Sequence, residues 1–242
     1  MDNNAKIFEE IVQGRKSYRV FDKETPISDE VIKRSIERAI LSPNSSNMQL
    51  WEFYIVKKQK DIDTIAKICL NQTGAKTASQ LVVFVARPDK WKSRQKAIVK
   101  NLDKVFKDRN STNAKKAYYY YEKLMPMVYE NSFALVRDLG KKFIIWNKAR
   151  KKAFVRDVLS KDIQIVAHKS IALAAQTFML SITAEGFDSL PMEGFDAVRL
   201  KKFLMLPKTA SVNMVVAVGK GKPEGIYGPR FRIPFEEVVF EI

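Results

Sequence analysis

One cysteine, one histidine and nine glycines among 242 residues leave this chain short of several kinds of chemistry. Cys69 alone cannot close an intramolecular disulfide. With no histidine or basic cluster near it in sequence, nothing lowers its pKa toward a thiolate, so it reads as a small buried side chain. One histidine and one cysteine make no metal-ligand set, and no metal site is expected. His168 sits in an apolar helical stretch, where it reads as a structural or interface residue. No apolar run reaches 18 uncharged residues, so neither a membrane span nor a membrane partner is expected. The opening ten residues mix acids, amides and one lysine and lack the apolar core of a signal peptide. A reducing, cytoplasmic compartment is the expectation. No Gly-x-Gly-x-x-Gly follows a strand pattern, which argues against a Rossmann nicotinamide domain. Internal repeats and low-complexity tracts are missing as well.

What the chain has in excess is positive charge, a formal +16. It is unevenly placed: residues 87–161 hold 21 Lys and Arg against 7 Asp and Glu, a net of +14. That stretch is helical in propensity and threaded with aromatics, among them Trp91, Phe106, Tyr118 to Tyr121, Tyr129, Phe133, Phe143, Trp146 and Phe154. It reads as a basic helical excursion inserted into a sheet-containing core. Three roles stay open for it: a solvated helical surface with its aromatics turned inward, a positive funnel that steers anionic substrates, or a nucleic-acid surface. Nucleic acid is the least favoured, because the rest of the chain is nearly neutral.

Outside the excursion the periodicities alternate. Residues 7–12 suit a short amphipathic helix. Ser28 is placed to cap a helix whose first turn carries Asp29 and Glu30, whose stripe is Val31, Ile32, Ile36, Ala39 and Ile40, and which Pro43 stops. Residues 51–56 are aromatic and β-branched, a strand pattern. A helix over 61–70 precedes the continuous apolar run 81–86, which suits a strand buried on both faces. Residues 163–183 are apolar on every side of a helix that ends at Glu185-Gly186, and so must be buried all round, in a core or against another subunit. A short helix over 195–206 stops at Pro207, residues 212–218 form another buried strand, and the tail ends in the strand-like 238–242. Mixed helices and strands around one sheet make the chain α+β, a single domain over 1–242 with 87–161 as its excursion.

Three further pieces stand out. Arg15, Lys16, Ser17 and Arg19 place guanidinium forks and a hydroxyl within five residues, a donor set for a phosphate dianion, although arginines near a helix end are often plain surface. Arg230 and Arg232 form a second basic pair some two hundred residues later. Pro191-Met192-Glu193-Gly194 is a stiffened turn whose glycine allows close backbone approach; as a bare helix-to-helix turn it needs no ligand. With Ser42-Pro43-Asn44-Ser45-Ser46-Asn47-Met48-Gln49-Leu50-Trp51 between the first pair and the turn, the order of pieces resembles the FMN-dependent nitroreductase family over residues 7–86 and 162–242. Asn44 and Leu50 depart from the usual serine and proline.

The resemblance implies a mostly antiparallel sheet flanked by helices, and a homodimer with shared flavin sites in which the C-terminal strand crosses to the partner. It implies FMN, with Arg15, Lys16, Ser17, Arg19, Arg230 and Arg232 around the phosphate. Pro191, Met192, Glu193 and Gly194 would lie along the ring, and the Glu193 backbone N–H would point at N5. Pro43, Asn44, Ser45 and Asn47 would reach the flavin of the opposite subunit. Asn71 would donate to the pyrimidine edge; its usual companion lysine is replaced by Gly74, and Lys76 is the nearest substitute. The activity implied is hydride transfer from NADH or NADPH through the flavin to a nitroaromatic or quinone in a ping-pong cycle, with 87–161 as lid. Alternatives are reductive dehalogenation, flavin breakdown, or a flavin- or nucleic-acid-binding protein without turnover.

Overall fold

The computed structural model describes residues 2–130 and 134–242, with side chains from 138 onward in the second stretch. Phe133, one of the excursion aromatics, lies outside the described residues. In chain order the elements are α1 (Asn3–Gly14), β1 (Phe21–Asp22), α2 (Asp29–Ala39), β2 (Trp51–Val56), α3 (Gln59–Ile68), α4 (Thr73–Thr77) and β3 (Gln80–Ala86). There follow α5 (Trp91–Val105), α6 (Thr112–Tyr119), α7 (Met125–Tyr129), α8 (Ala134–Ala149), α9 (Ser160–Ala184), β4 (Asp188–Met192), α10 (Ala197–Phe203) and β5 (Ser211–Gly221).

The sheet runs β1-β5-β3-β2, with β4 also paired to β5, and every named pair is antiparallel. Its apolar runs are explained by two cores, one on each face. Val82, Phe84 and Ala86 of β3 join Val216 and Val218 of β5 under α2 and α9. Leu81, Val83 and Val85 join Val215 and Ala217, with Leu190 and Met192 of β4, against α3 and α10. The period-2 alternation of side chains therefore serves both faces, as a strand buried on both sides requires. Phe84 meets Phe53 at 5.3 Å and Phe178 of α9 at 5.4 Å, both edge-on, and so locks helix to sheet.

The helix ends follow local chemistry. Ser28 Oγ accepts the Val31 N–H at 3.4 Å, the cap expected of it. At the other end of α9, Gly186 takes φ +80°, its N–H bonds to Thr183 and that of Phe187 to Ile182, a glycine-terminated C-cap. By length and apolarity α9 could cross a bilayer, yet half of that stretch is buried in the fold, against α2 and the sheet. It is not covered all round within the chain: Ile165 and Leu173 are about half exposed. Ile40, at the end of the α2 stripe, is exposed too.

Two strands escaped the sequence patterns. β1 is only two residues long, and β4 has the composition Asp-Ser-Leu-Pro-Met, so neither reads as a strand before its partner β5 is in place. Pro191 and Met192 are therefore ladder residues, and only Glu193 and Gly194 lie past the strand end. The tail differs in the opposite sense. Residues 238–242 form no strand within the chain; one 3₁₀ turn, Phe235–Glu237, interrupts an exposed arm that runs from 227 to 242. A strand needs a ladder partner, and no edge of the chain's own sheet receives this segment.

Candidate active site

The Arg15 N–H closes α1 on Ile11, and the chain then passes alongside β4. Ser17 bridges Ser189 in parallel, the Tyr18 N–H donates to the Ser189 carbonyl at 3.3 Å, and the Arg19 N–H donates to the Gly225 carbonyl at 3.0 Å. Gly225 must be glycine here, since a Cβ would stand 2.7 Å from the Val20 nitrogen. That close approach brings the segment before the C-terminal arm onto the segment after α1. Between them opens a cleft of about 570 Å³, lined by Arg15, Lys16, Ser17, Arg19 and residues 226–232.

Five cations line this cleft and no acid does. Arg230 is fixed by donating to the carbonyls of Gln13 at 3.0 Å and Arg15 at 2.5 Å, which also caps the end of α1. Among the described residues Arg232 donates only to the carbonyl of its neighbour Phe231, at 2.6 Å. The Arg19 guanidinium lies 4.8 Å from the centre of the Tyr227 ring. Burial, and then the charges of Arg230 and Arg232, hold the Arg15 guanidinium below its ordinary pKa. Cations held together against their own repulsion favour an anion between them, and the forked donors suit a phosphate.

A second group of expected residues gathers around the end of β4. Gln72 Nε2 donates to the Gly194 carbonyl at 2.8 Å, and the Asp196 N–H donates to the Ile68 carbonyl. A Cβ on Gly194 would come within 3.3 Å of Gln72 Nε2, so the glycine permits this contact. Neither the Glu193 nor the Gly194 N–H has a protein acceptor among the described residues. Leu70 and Asn71 both take positive φ, +57° and +59°, which turns the chain from α3 into α4. Gly74 explains the lost lysine: a Cβ there would stand 2.3 Å from Leu190 Cδ2, with Arg19 Cα at 3.7 Å, so the position is taken up in packing α4 on β4. Lys76, further along α4, is exposed. The same contacts tie this group to the Arg15-to-Arg19 segment.

The 42–51 loop is built elsewhere. Ser46, Asn47 and Gln49 all take positive φ near +50°. The Asn44 carboxamide oxygen accepts the Gln49 N–H at 2.8 Å, the Ser45 N–H donates to Ser170 Oγ of α9 at 3.2 Å, and Ser46 Oγ meets the Tyr120 hydroxyl at 2.6 Å. Pro43, Asn44, Ser45 and Asn47 line no part of the cationic cleft within one chain. Three non-glycine residues in the left-handed region within four positions cost several kcal/mol together, and such cost is held where a binding surface needs it.

Several residues escaped the sequence reading. Tyr227 lines the cleft under Arg19, signalled only by the Gly-Pro that follows it. Gln72 holds Gly194, and nothing in its local pattern marks it. A second cleft of about 490 Å³ lies along the edge strand β2, lined by Gln49, residues 51–54 and Arg94, whose Nε is buried without a hydrogen-bond partner among the described residues. His168 takes the structural role expected of it: Nε2 meets Ser211 Oγ at 2.7 Å and Nδ1 meets the Asn213 amide at 3.0 Å. Cys69 is buried, and burial alone pushes its thiol up to about 11. No cluster of metal-ligating side chains occurs among the described residues.

The family model for the nitroreductase family matches residues 12–220, and the chain belongs to that family. It is 26% identical over 239 residues to the oxygen-insensitive NAD(P)H nitroreductase of Salmonella typhimurium, covering 94% of this chain and 96% of that one. A nitroreductase-like protein from Streptococcus mutans superposes with a TM-score of 0.72 at 19% identity, covering 99% of this chain and all of the other. A structure from Exiguobacterium sibiricum, solved in complex with FMN, superposes with a TM-score of 0.68 at 20% identity, with 97% of each chain covered. These structures share the mostly antiparallel sheet with its flanking helices.

Proposed function

We propose that this chain is an FMN-dependent oxidoreductase that takes hydride from NADH or NADPH and passes it to a nitroaromatic or quinone acceptor, the two substrates using one site in turn. The observation that carries the reading is the cationic cleft, which joins residues 15–19 to Arg230 and Arg232 across most of the chain's length. Its donor set fits the phosphate of FMN, and the N–H groups at the end of β4 fit a ring that needs a hydrogen-bond donor. When bound, FMN supplies the reversible two-electron carrier.

The chain's own residues supply the rest. Arg15, Lys16, Arg19 and Arg232 neutralise the phosphate, the Ser17 hydroxyl adds a neutral donor, and Arg230 holds the two chain segments together. Pro191 and Met192, fixed in the ladder, give a rigid floor. Glu193, whose N–H has no acceptor among the described residues, would donate to the nitrogen that receives hydride, beside Gly194, whose carbonyl Gln72 holds. Asn71 is assigned to the pyrimidine edge. Protons for the acceptor come from solvent, so the chain needs no dedicated acid.

The site is completed by a second copy, whose Pro43, Asn44, Ser45 and Asn47 loop would reach it. Supporting this, the arm exposes Phe231, Phe235 and Phe240, while α9 exposes Ile165 and Leu173 and α1 exposes Ile7 and Phe8. Helices α5–α8 would form the lid over a single domain, and the buried thiol of Cys69 fits a reducing, cytoplasmic setting.

Replacing Arg232 with Ala tests the assignment cleanly, because among the described residues Arg232 bonds only to its neighbour's carbonyl. Loss of one charge-assisted contact should weaken FMN binding roughly 10- to 100-fold at unchanged thermal stability. Unchanged FMN affinity would remove Arg232 from the phosphate site.

A further inference from the structure

The four tyrosines of the excursion, Tyr118 to Tyr121, divide between two tasks. Tyr118 turns to α5, its hydroxyl donating to Asp103 at 2.7 Å, and Tyr119 is exposed. Tyr120 and Tyr121 both turn to one residue of the 42–51 loop. The Tyr120 hydroxyl meets Ser46 Oγ at 2.6 Å, and the Tyr121 hydroxyl donates to the Ser46 carbonyl at 3.1 Å. Successive side chains of an α-helix diverge by about 100° and do not ordinarily share a target. Here the helix widens: Tyr120–Leu124, between α6 and α7, is a π-helical turn, a feature that recurs at functional sites. The two rings meet edge-on at 5.1 Å, and Gln95 Nε2 of α5 donates to the Tyr121 carbonyl at 3.1 Å, so the turn is itself anchored.

Ser46 is the first of the positive-φ residues in the loop, at +55°. Such a backbone persists only where its surroundings over-determine it. Inside the loop Asn44 accepts the Asn47 N–H on its carbonyl at 3.2 Å and the Gln49 N–H on its carboxamide oxygen at 2.8 Å. Ser170 of α9 accepts from Ser45. Ser46 itself is half-buried and held at both side chain and carbonyl by the two tyrosines, while Pro43, Ser45 and Asn47 are left exposed around it. We infer that Tyr120 and Tyr121 are positioning residues: through Ser46 they set the 44–49 loop in the shape it offers to the flavin of the second copy. The inference rests on the oxidoreductase reading of the site. Neither tyrosine needs to touch the flavin. The excursion then does more than cover the site, because it fixes the loop through which one copy binds the other's cofactor.

The test compares the full chain with Tyr120→Phe and Tyr121→Phe, which remove a hydroxyl and keep the ring, each alone and combined with Ser46→Ala. FMN affinity is read by fluorescence titration, with the melting temperature alongside. Loop order is read in the flavin-free chain by hydrogen exchange over residues 44–50, with β3 as the internal reference. Each Tyr→Phe change should weaken FMN binding roughly 5- to 10-fold at unchanged melting temperature, and should speed exchange in the loop but not in β3. In the Ser46→Ala background Tyr120→Phe should have no further effect on affinity, because its partner hydroxyl is gone, whereas Tyr121→Phe should keep its own. A native chain that binds FMN, with variants that match it in affinity or in loop exchange, would overturn the inference and leave the reading of the site intact. So would a Tyr120→Phe loss that adds in full to that of Ser46→Ala. A native chain that binds no FMN would overturn the reading, and the inference with it.

Discussion

Gly194 and Gln72 show how little slack the site has at the scale of a residue. Gly194→Ala pushes a methyl to 3.3 Å from the amide that holds its own carbonyl. The variant should keep its fold, losing about 1 kcal/mol at most, while reduction of the bound flavin by NADPH slows; stopped-flow absorbance against a melting curve separates the two effects. His168 offers a pH-dependent readout away from the site. Burial lowers its pKa in the fold, so the neutral ring is favoured there. Its penalty is nil above the unfolded value near about 6.5 and grows as pH falls through that value toward the folded one. Melting temperature should therefore drop between about pH 7 and about pH 5, and the drop should be smaller in His168→Gln; equal drops would remove His168 as the cause.

At the scale of the element, α2 and α9 are pinned by one carboxylate. Glu185 accepts from Arg34 at 3.1 and 2.6 Å and from Arg38 at 2.6 Å, and these bonds bring its pKa down to about 2. A folded value below the unfolded one means the stabilisation is present above about 4.3 and is lost as pH falls toward 2. Acid titration of the melting temperature should show a steeper loss for the native chain than for Glu185→Gln. The packing beneath is costlier to disturb: Phe178→Ala, fully buried against Phe84, should cost about 3–5 kcal/mol in chemical denaturation. Elements of this kind were the legible ones. The α2 cap, the apolar run of β3 and the glycine end of α9 each carry their signal within a few residues. β4 was hidden because a Pro and an Asp become strand residues only when β5 lies beside them. The basic residues at 15–19 and 230–232 were readable as donors, but their shared cleft depends on Gly225, Tyr227 and the passage beside Ser189, which no local pattern announces. The closure of position 74 by Leu190 is a packing fact of the same kind.

At the scale of the whole molecule the open question is what covers the arm. Sixteen exposed residues with three phenylalanines are a poor surface for an isolated 27.8 kDa chain. Deleting residues 234–242 leaves Arg230 and Arg232 in place, yet should convert a dimer in sedimentation velocity to a monomer and lower FMN occupancy with it. A truncated chain that remains dimeric and yellow would show that the arm does not hold the assembly. The central claim is tested most directly by the visible spectrum of the purified chain, supplied with FMN under anaerobic conditions. The account predicts protein-bound flavin bands that bleach on adding NADH or NADPH and return when a quinone is added. A chain that retains no flavin, or holds flavin that neither nucleotide reduces, would contradict it.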